Sequence, residues 1–194
     1  MNILAIDPGI TRSNHCGWAI ISEDDELVES GNKTFKKTGT DRDTNVIKFF
    51  NELCEKDFDY FGFEKPYGPN RKTLRSTSNF LGIYRTVMLM NGKIEIGGYA
   101  PAHIKKIFTG DGRASKDDIN QLVCSKYGIE NVQKDEADAI AIAYTCLHHW
   151  REDNDKVSIL ILVDQSLEPD IIQINFYNSH YSNSSRFFSN HFPN

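Results

Sequence analysis

The chain begins with a short apolar run that ends in a carboxylate. Residues 3–6 read Ile-Leu-Ala-Ile, and Asp7, Pro8 and Gly9 follow at once. An unbroken apolar run of this length is typical of a strand covered on both faces, although a buried helical segment would show the same pattern. Since Pro8 and Gly9 end the strand, we expect Asp7 at its tip, facing a cleft where the carboxylate needs a cation. The simpler alternative is that Asp7 caps the turn, a common role for Asp before Pro-Gly.

Other carboxylates occupy comparable positions later in the chain. The aromatic run 58–63 ends at Glu64, just before a Lys-Pro pair, which repeats the pattern around Asp7. Asp135 and Asp138 lie three residues apart at the start of an Ala-rich segment that predicts a helix. Both side chains should therefore project from one face of its first turn. Acids are also favoured at helix N-termini by the helix dipole, and that effect alone would explain this pair.

The remaining patterns predict one domain in which helices pack on a sheet. Apolar residues at helical spacing within 46–53 indicate a helix over 43–56, and Ser115 with Asp118 forms a capping box for a helix that Gly128 ends. We expect strands near 3–7, 17–21, 27–35, 58–64 and 93–99, and further helices over 103–108, over 134–149 and around 81–88. The first three strands should form an antiparallel meander.

Length and composition restrict the class of protein. At 194 residues, with 39% hydrophobic and 25% charged residues, the chain suits one main domain. Neither a signal peptide nor an apolar run of roughly 20 residues is evident, so we expect a soluble, intracellular protein without membrane contact. The four cysteines are scattered, which predicts reduced thiols and neither disulfides nor a zinc site.

Beyond residue 150 the character of the sequence changes. We therefore divide the chain into a domain of residues 1–150 and an extension of residues 151–194. In the extension we expect a hairpin over 157–163 and 171–177 and a flexible tail.

Charge is distributed unevenly along the chain. The net charge is −5, but residues 65–110 contain eight Lys or Arg residues and a single acid, Glu95. Such asymmetry indicates a face that binds a polyanion, although a solvated basic surface would give the same count.

The four acids, if they lie together, would repel one another unless divalent cations neutralised them. Mg²⁺ prefers such oxygen ligands, and two ions about 4 Å apart promote phosphoryl displacement. Carboxylates beside a basic face therefore indicate a nuclease.

Four motifs together resemble one known family. Residues 3–9 (I-L-A-I-D-P-G), 63–67 (F-E-K-P-Y), 104–116 (I-K-K-I-F-T-G-D-G-R-A-S-K) and 135–143 (D-E-A-D-A-I-A-I-A) are similar in order and spacing to the RuvC family of Holliday-junction resolvases. The resemblance covers roughly residues 1–149. It implies an α/β, ribonuclease H-like fold with a mixed five-stranded sheet flanked by helices. It also implies a homodimer that makes paired Mg²⁺-dependent nicks in four-way and other branched DNA, two ions per site, with Mn²⁺ as a substitute.

The resemblance also implies roles for individual residues. Asp7, Glu64, Asp135 and Asp138 match the family's metal-binding, catalytic acids, and Lys116 matches a basic position tied to catalysis and substrate binding. Tyr67 matches an aromatic residue that contacts DNA in the family, and Lys105 matches a second basic position. From the basic character of the sequence itself, we expect further DNA contacts from Arg71, Lys72, Arg75, Lys106 and Arg113. Divergence and small size favour a phage-type member, so we expect it in the cytoplasm of a bacterium or of a phage-infected host.

Other interpretations remain open at this stage. The D-P-G-I-T sequence also fits the phosphate loop of actin-like ATPases, and D-E-A-D also occurs in helicases, but neither comes with the second motif its class requires. A nuclease of the same fold that processes RNA is a stronger alternative. A scaffold that binds junctions without cutting them is the alternative outside the enzymes.

Overall fold

The computed structural model describes residues 1–9, 14–35 and 40–164. Within these ranges the chain forms five strands and five helices. In chain order they are β1 (Asn2–Asp7), β2 (His15–Ser22), β3 (Leu27–Thr34), α1 (Thr40–Cys54), β4 (Tyr60–Glu64), α2 (Arg71–Met90), β5 (Ile94–Tyr99), α3 (Pro101–Thr109), α4 (Lys116–Tyr127) and α5 (Lys134–Asp164). No helix in the described ranges is both long and apolar enough to cross a membrane.

The strands form one mixed sheet in the order β3-β2-β1-β4-β5. Strands β1, β2 and β3 pair antiparallel, as the predicted meander requires, whereas β1–β4 and β4–β5 pair parallel. The mixed five-stranded sheet is therefore confirmed. Because β1 and β4 are parallel neighbours, their carboxyl ends meet at the same edge of the sheet.

Each face of the sheet carries its own hydrophobic core. Leu4 and Ile6 of β1 pack on one side with apolar residues of α1 and α2. Ile3 and Ala5 pack on the other side with residues of α3, α4 and α5. All four are completely buried, which explains why β1 reads as an unbroken apolar run and not as an alternating one.

The ends of α4 follow the predicted signals. Ser115 Oγ accepts a hydrogen bond from the backbone N–H of Asp118, and the Asp118 carboxylate accepts one from the backbone N–H of Ser115. Gly128 ends the helix in the left-handed conformation, with φ of 65°. The reciprocal cap fixes where α4 begins and thereby where Lys116 lies.

The end of α5 corrects one expectation. The apolar run 157–163, predicted as a strand, belongs to α5, which continues to Asp164. No Gly or Pro occurs between Trp150 and Asp164 to stop the helix, and a short apolar run fits either structure. Residues 1–156 form one compact unit, and a second unit, 157–194, is described only to Asp164. The second predicted strand, 171–177, and the tail lie outside the described residues.

Candidate active site

Asp7 ends β1 and Glu64 ends β4, and these two strands are parallel neighbours. The register pairs Ile6 with Phe63, so the next residue of each strand is a carboxylate. The backbone N–H of Gly9 donates to the carbonyl oxygen of Asp7 over 3.0 Å and turns the chain away immediately after it. Asp7 is buried, with 7% of its surface exposed. A lone turn-capping Asp would lie at the surface, so this burial favours a site.

The first turn of α5 brings two further acids to Asp7. Asp7, Asp135 and Asp138 each offer a carboxylate oxygen, and the three oxygens lie within 4.8 Å of one another. We call these three residues the acidic cluster. Glu64 lies outside that distance limit, but its charge is among the causes that raise the pKa of Asp7. The structure therefore gathers three predicted acids into one group and leaves the fourth beside it.

Lys116 is the cation of the acidic cluster. As the first residue of α4, it donates a hydrogen bond from Nζ to Oδ2 of Asp138. Its Nζ lies 3.7 Å from Oδ1 of Asp135. About half of the side chain is exposed, so the ammonium borders both the acids and the solvent. One cation therefore offsets only part of the negative charge.

Burial and mutual repulsion change the acidities of these groups. Burial, followed by the charges of Glu64 and Asp138, raises the pKa of Asp7 well above its usual value. Burial and the charge of Asp138 raise the pKa of Glu64 to about 7. Burial also raises the pKa of Asp138, although the hydrogen bond from Lys116 opposes it. Burial disfavours the charge on Lys116, but its hydrogen bond and the adjacent acids outweigh this and raise its pKa.

These features fit a hard divalent cation. Burial, and after it the neighbouring acids, disfavour the charged form of these carboxylates, and a bound divalent cation would offset both effects. The donor atoms are all carboxylate oxygens, the ligand type that Mg²⁺ and Mn²⁺ prefer, with neither imidazole nor thiolate among them. The acidic cluster is therefore suited to a metal ion of this class.

The other predicted DNA-contacting residues follow β4, lie on α2 and α3, or precede α4. Tyr67 follows β4 and is 80% exposed. Lys105 of α3 is close enough for its charge to oppose part of the burial-driven rise in the pKa values of Glu64 and Asp138. The exposed side chains among the others are Arg71, Lys72 and Arg75 in the first turns of α2, Lys106 of α3 and Arg113 of the loop before α4.

Two of the basic residues counted in the sequence have structural partners. Nε of Arg85 lies 2.8 Å from Oε2 of Glu95, the one acid of that segment. Nζ of Lys93 donates to the carbonyl oxygen of Phe58 over 2.6 Å. The basic surface near the site is therefore smaller than the sequence count indicated.

The sequence did not reveal the role of Glu136, which connects α5 to the sheet. Its carboxylate accepts a hydrogen bond from Ser30 Oγ over 2.7 Å and one from Asn32 Nδ2 over 3.5 Å. Both partners lie on β3, so Glu136 ties the first turn of α5 to the outer strand of the sheet. No local pattern joins residues this far apart in the chain, and the only signal was a third acid between Asp135 and Asp138.

The sheet order, with carboxylates ending β1 and β4 and beginning α5, defines a ribonuclease H-like nuclease. The family model for "Crossover junction endodeoxyribonuclease RuvC" matches residues 3–146. The RuvC protein of Rickettsia prowazekii is 31% identical over 163 residues, which covers 76% of this chain and 97% of that protein. The RuvC protein of Campylobacter lari is 32% identical over 161 residues, covering 75% and 94%. The chain belongs to the RuvC family of crossover junction endodeoxyribonucleases.

Solved structures agree on the fold. The structure titled "T. thermophilus RuvC in complex with Holliday junction substrate" superposes with a TM-score of 0.64 at 22% identity, covering 75% of this chain and 92% of that chain. A second Thermus thermophilus RuvC structure gives a TM-score of 0.62. The ribonuclease H-like fold inferred from the motifs is confirmed.

Proposed function

We propose that this protein resolves four-way DNA junctions, and cuts other branched DNA, by paired Mg²⁺-dependent nicks. The observation that carries the proposal is the acidic cluster: three carboxylate oxygens within 4.8 Å of one another, with the ammonium groups of Lys116 and Lys105 nearby. Family membership supplies the DNA-cutting chemistry, and an RNA substrate has no comparable support. The likeness to a structure solved with a Holliday junction substrate supports the choice of DNA.

We assign the metal to four acids. Asp7, Asp135 and Asp138 would hold it, with Glu64 completing the site from the end of β4. When bound, two Mg²⁺ ions would activate the attacking water and stabilise the leaving oxygen, and Mn²⁺ would substitute because it takes the same ligands. The carboxylates would position the ions. Because the ions would activate the attacking water, no side chain has to act as a general base.

The basic and aromatic residues would position the DNA. Lys116 is assigned to the scissile phosphate, since its ammonium borders the acidic cluster and the solvent. The exposed ring of Tyr67 would stack on a base near the crossover. Phosphates farther from the cut would contact Arg71, Lys72, Arg75, Lys105, Lys106 and Arg113.

Paired nicks require two active sites, and we therefore propose a homodimer. Each site comprises residues of one chain, so the second must come from another copy. We assign nuclease activity to residues 1–150 and treat 151–194 as an extension, because the family match ends at residue 146. We propose that it acts in the cytoplasm of a bacterium or of a phage-infected host, where branched DNA arises.

Cleavage of defined substrates tests the proposal. An immobile four-way junction is incubated with Mg²⁺ beside a three-way junction, a linear duplex and a structured RNA. We expect symmetric nicks in the four-way junction, weaker cutting of the three-way junction, and none in the duplex or RNA. Exclusive RNA cutting, or binding without cutting, would overturn the proposal.

A pair of variants controls this assay. Glu64→Gln removes the charge at the end of β4 and should abolish nicking. Glu52→Gln makes the same chemical change at an exposed position of α1 and should leave nicking unchanged. Equal activity of both variants would remove Glu64 from the site.

A further inference from the structure

Helix α5 carries a second group of metal-binding side chains, separate from the acidic cluster. His148, His149 and Glu152 each offer one ligand atom, and these atoms lie within 4.8 Å of one another. Oε2 of Glu152 lies 3.1 Å from Nδ1 of His149 and 3.7 Å from Nδ1 of His148. One carboxylate oxygen therefore faces two imidazole nitrogens. All three residues follow residue 146, where the family match ends.

One ring nitrogen of the half-buried His148 lacks a hydrogen-bond partner among the described residues. Its Nδ1 is buried and has no hydrogen-bond partner in the part of the chain that the structure describes. The 3.7 Å to Glu152 is too long for a hydrogen bond. It suits two ligands of one ion, since donors ~2.0–2.1 Å from a tetrahedral ion are about 3.3 Å apart. The distances of 3.1 Å and 3.7 Å bracket that value.

His149 has the outer contact expected of a metal-binding imidazole. Its Nε2 lies 2.7 Å from Nε2 of His103 on α3, and its ring stacks on Tyr99 with a centroid distance of 4.8 Å. With Nδ1 on a metal, the remaining proton is on Nε2 and is donated to His103, which fixes the tautomer.

We propose that His148, His149 and Glu152 bind one Zn²⁺ ion, with His103 as the outer partner of His149. Two nitrogens and one oxygen favour Zn²⁺ over Mg²⁺, which prefers oxygen ligands throughout. Arg151 is adjacent to the proposed ligands, and its guanidinium donates to the carbonyl oxygen of Glu23. The ion would join α3 to α5 through His103 and stabilise the helix that carries Lys105 and Lys106.

Zinc titration of the full-length protein tests this site. The titration is followed by calorimetry in excess Mg²⁺, so that the acidic cluster is occupied. We expect one equivalent of Zn²⁺ to bind and the melting temperature to rise. His148→Ala and Glu152→Gln should each weaken zinc binding by about 100-fold, and His103→Ala by about 10-fold, as the loss of an outer contact does.

Controls separate this site from the other histidines and from misfolding. Besides His103, His148 and His149 the sequence has three histidines, and a variant with all three replaced, His15→Ala, His180→Ala and His191→Ala, should bind Zn²⁺ like the parent. Glu152 is exposed, so Glu152→Gln should keep the melting temperature of the zinc-free protein even where His148→Ala does not. The proposal is overturned if no zinc binds in excess Mg²⁺, or if Glu152→Gln binds it unchanged.

Discussion

Gly17 of β2 lies so close to Asp135 of α5 that no side chain fits between them. A Cβ built on Gly17 would be 1.8 Å from the carbonyl oxygen of Asp135 and 2.3 Å from its carbonyl carbon. Both neighbours are backbone atoms and cannot rotate away. The first turn of α5 can therefore lie this close to β2 only because residue 17 is a glycine. The positions of Asp135 and Asp138 depend on that approach.

Gly17→Ala should impair both stability and cleavage. The added methyl group must push α5 away from β2, which costs about 1–3 kcal/mol, as overpacking in cores does. The displacement moves two acids of the acidic cluster, so nicking should fall by more than the loss of folded protein alone would cause. Denaturant unfolding and junction cleavage measure the two effects.

Gly82→Ala is the matched control for this substitution. Gly82 lies in α2, is exposed, and has no atom within 4 Å of a built Cβ. Ala in a helix should stabilise the protein by about 0.5–1 kcal/mol and leave nicking unchanged. If Gly17→Ala behaved like Gly82→Ala, the close approach would have no role in the site.

The raised pKa of Glu64 predicts a pH dependence of the metal-free protein. This pKa is about 7 in the folded protein against an ordinary value of 4.5. Between these values the folded protein keeps a proton that the unfolded chain has lost, so the free energy of unfolding falls as pH rises. The loss through Glu64 should be at most about 3 kcal/mol. Melting temperatures in a chelator, measured across this interval, should decline.

Three comparisons identify the cause of that decline. Glu64→Gln should make the decline smaller, since the amide does not titrate while Asp7 and Asp138 still do. Excess Mg²⁺ should flatten the profile, because the bound ion stabilises the charged carboxylates. Glu52→Gln, which is exposed on α1, should retain the parent profile. A profile unaffected by Glu64→Gln would show that the charge of Glu64 is not destabilising.

Local signals in the sequence predicted much of the fold. The apolar run of β1, the Ser115–Asp118 box and Gly128 each act within a few residues, and the structure has the corresponding ends. The end of α5 was wrong because no breaker residue marks it and an apolar run does not distinguish helix from strand. A helix end can be predicted where a capping side chain hydrogen-bonds to the nearby backbone, and the end of α5 has no such sequence pattern.

Contacts between distant parts of the chain could not be predicted. The hydrogen bond from Ser30 to Glu136 joins residues 106 apart in sequence, and no period or spacing encodes it. The pairing of Arg85 with Glu95 likewise depends on how α2 meets β5. The sequence predicted that the acids lie at the ends of strands and at the start of a helix. The distances between them depend on how closely α5 approaches β2 at Gly17.

Lys105 should contribute to DNA binding through charge. In metal-free buffer, Lys105→Ala should weaken junction binding most at low salt and reduce the slope of log K against log salt by about 1, since one phosphate contact is lost. Lys48→Ala, an exposed position on α1, should leave the slope unchanged. An equal loss for Lys105→Ala at every salt concentration would indicate misfolding instead.

If the acidic cluster at the end of β1 cuts branched DNA through bound metal, loss of one ligand must stop cleavage. The decisive measurement is the cleavage of a four-way junction by Asp7→Asn, compared with the parent protein in Mg²⁺. We predict a loss of about 100-fold or more, since even outer contacts of metal ligands are worth 10–100-fold, with junction binding in metal-free buffer retained. Cleavage by Asp7→Asn at the parent rate would contradict the account.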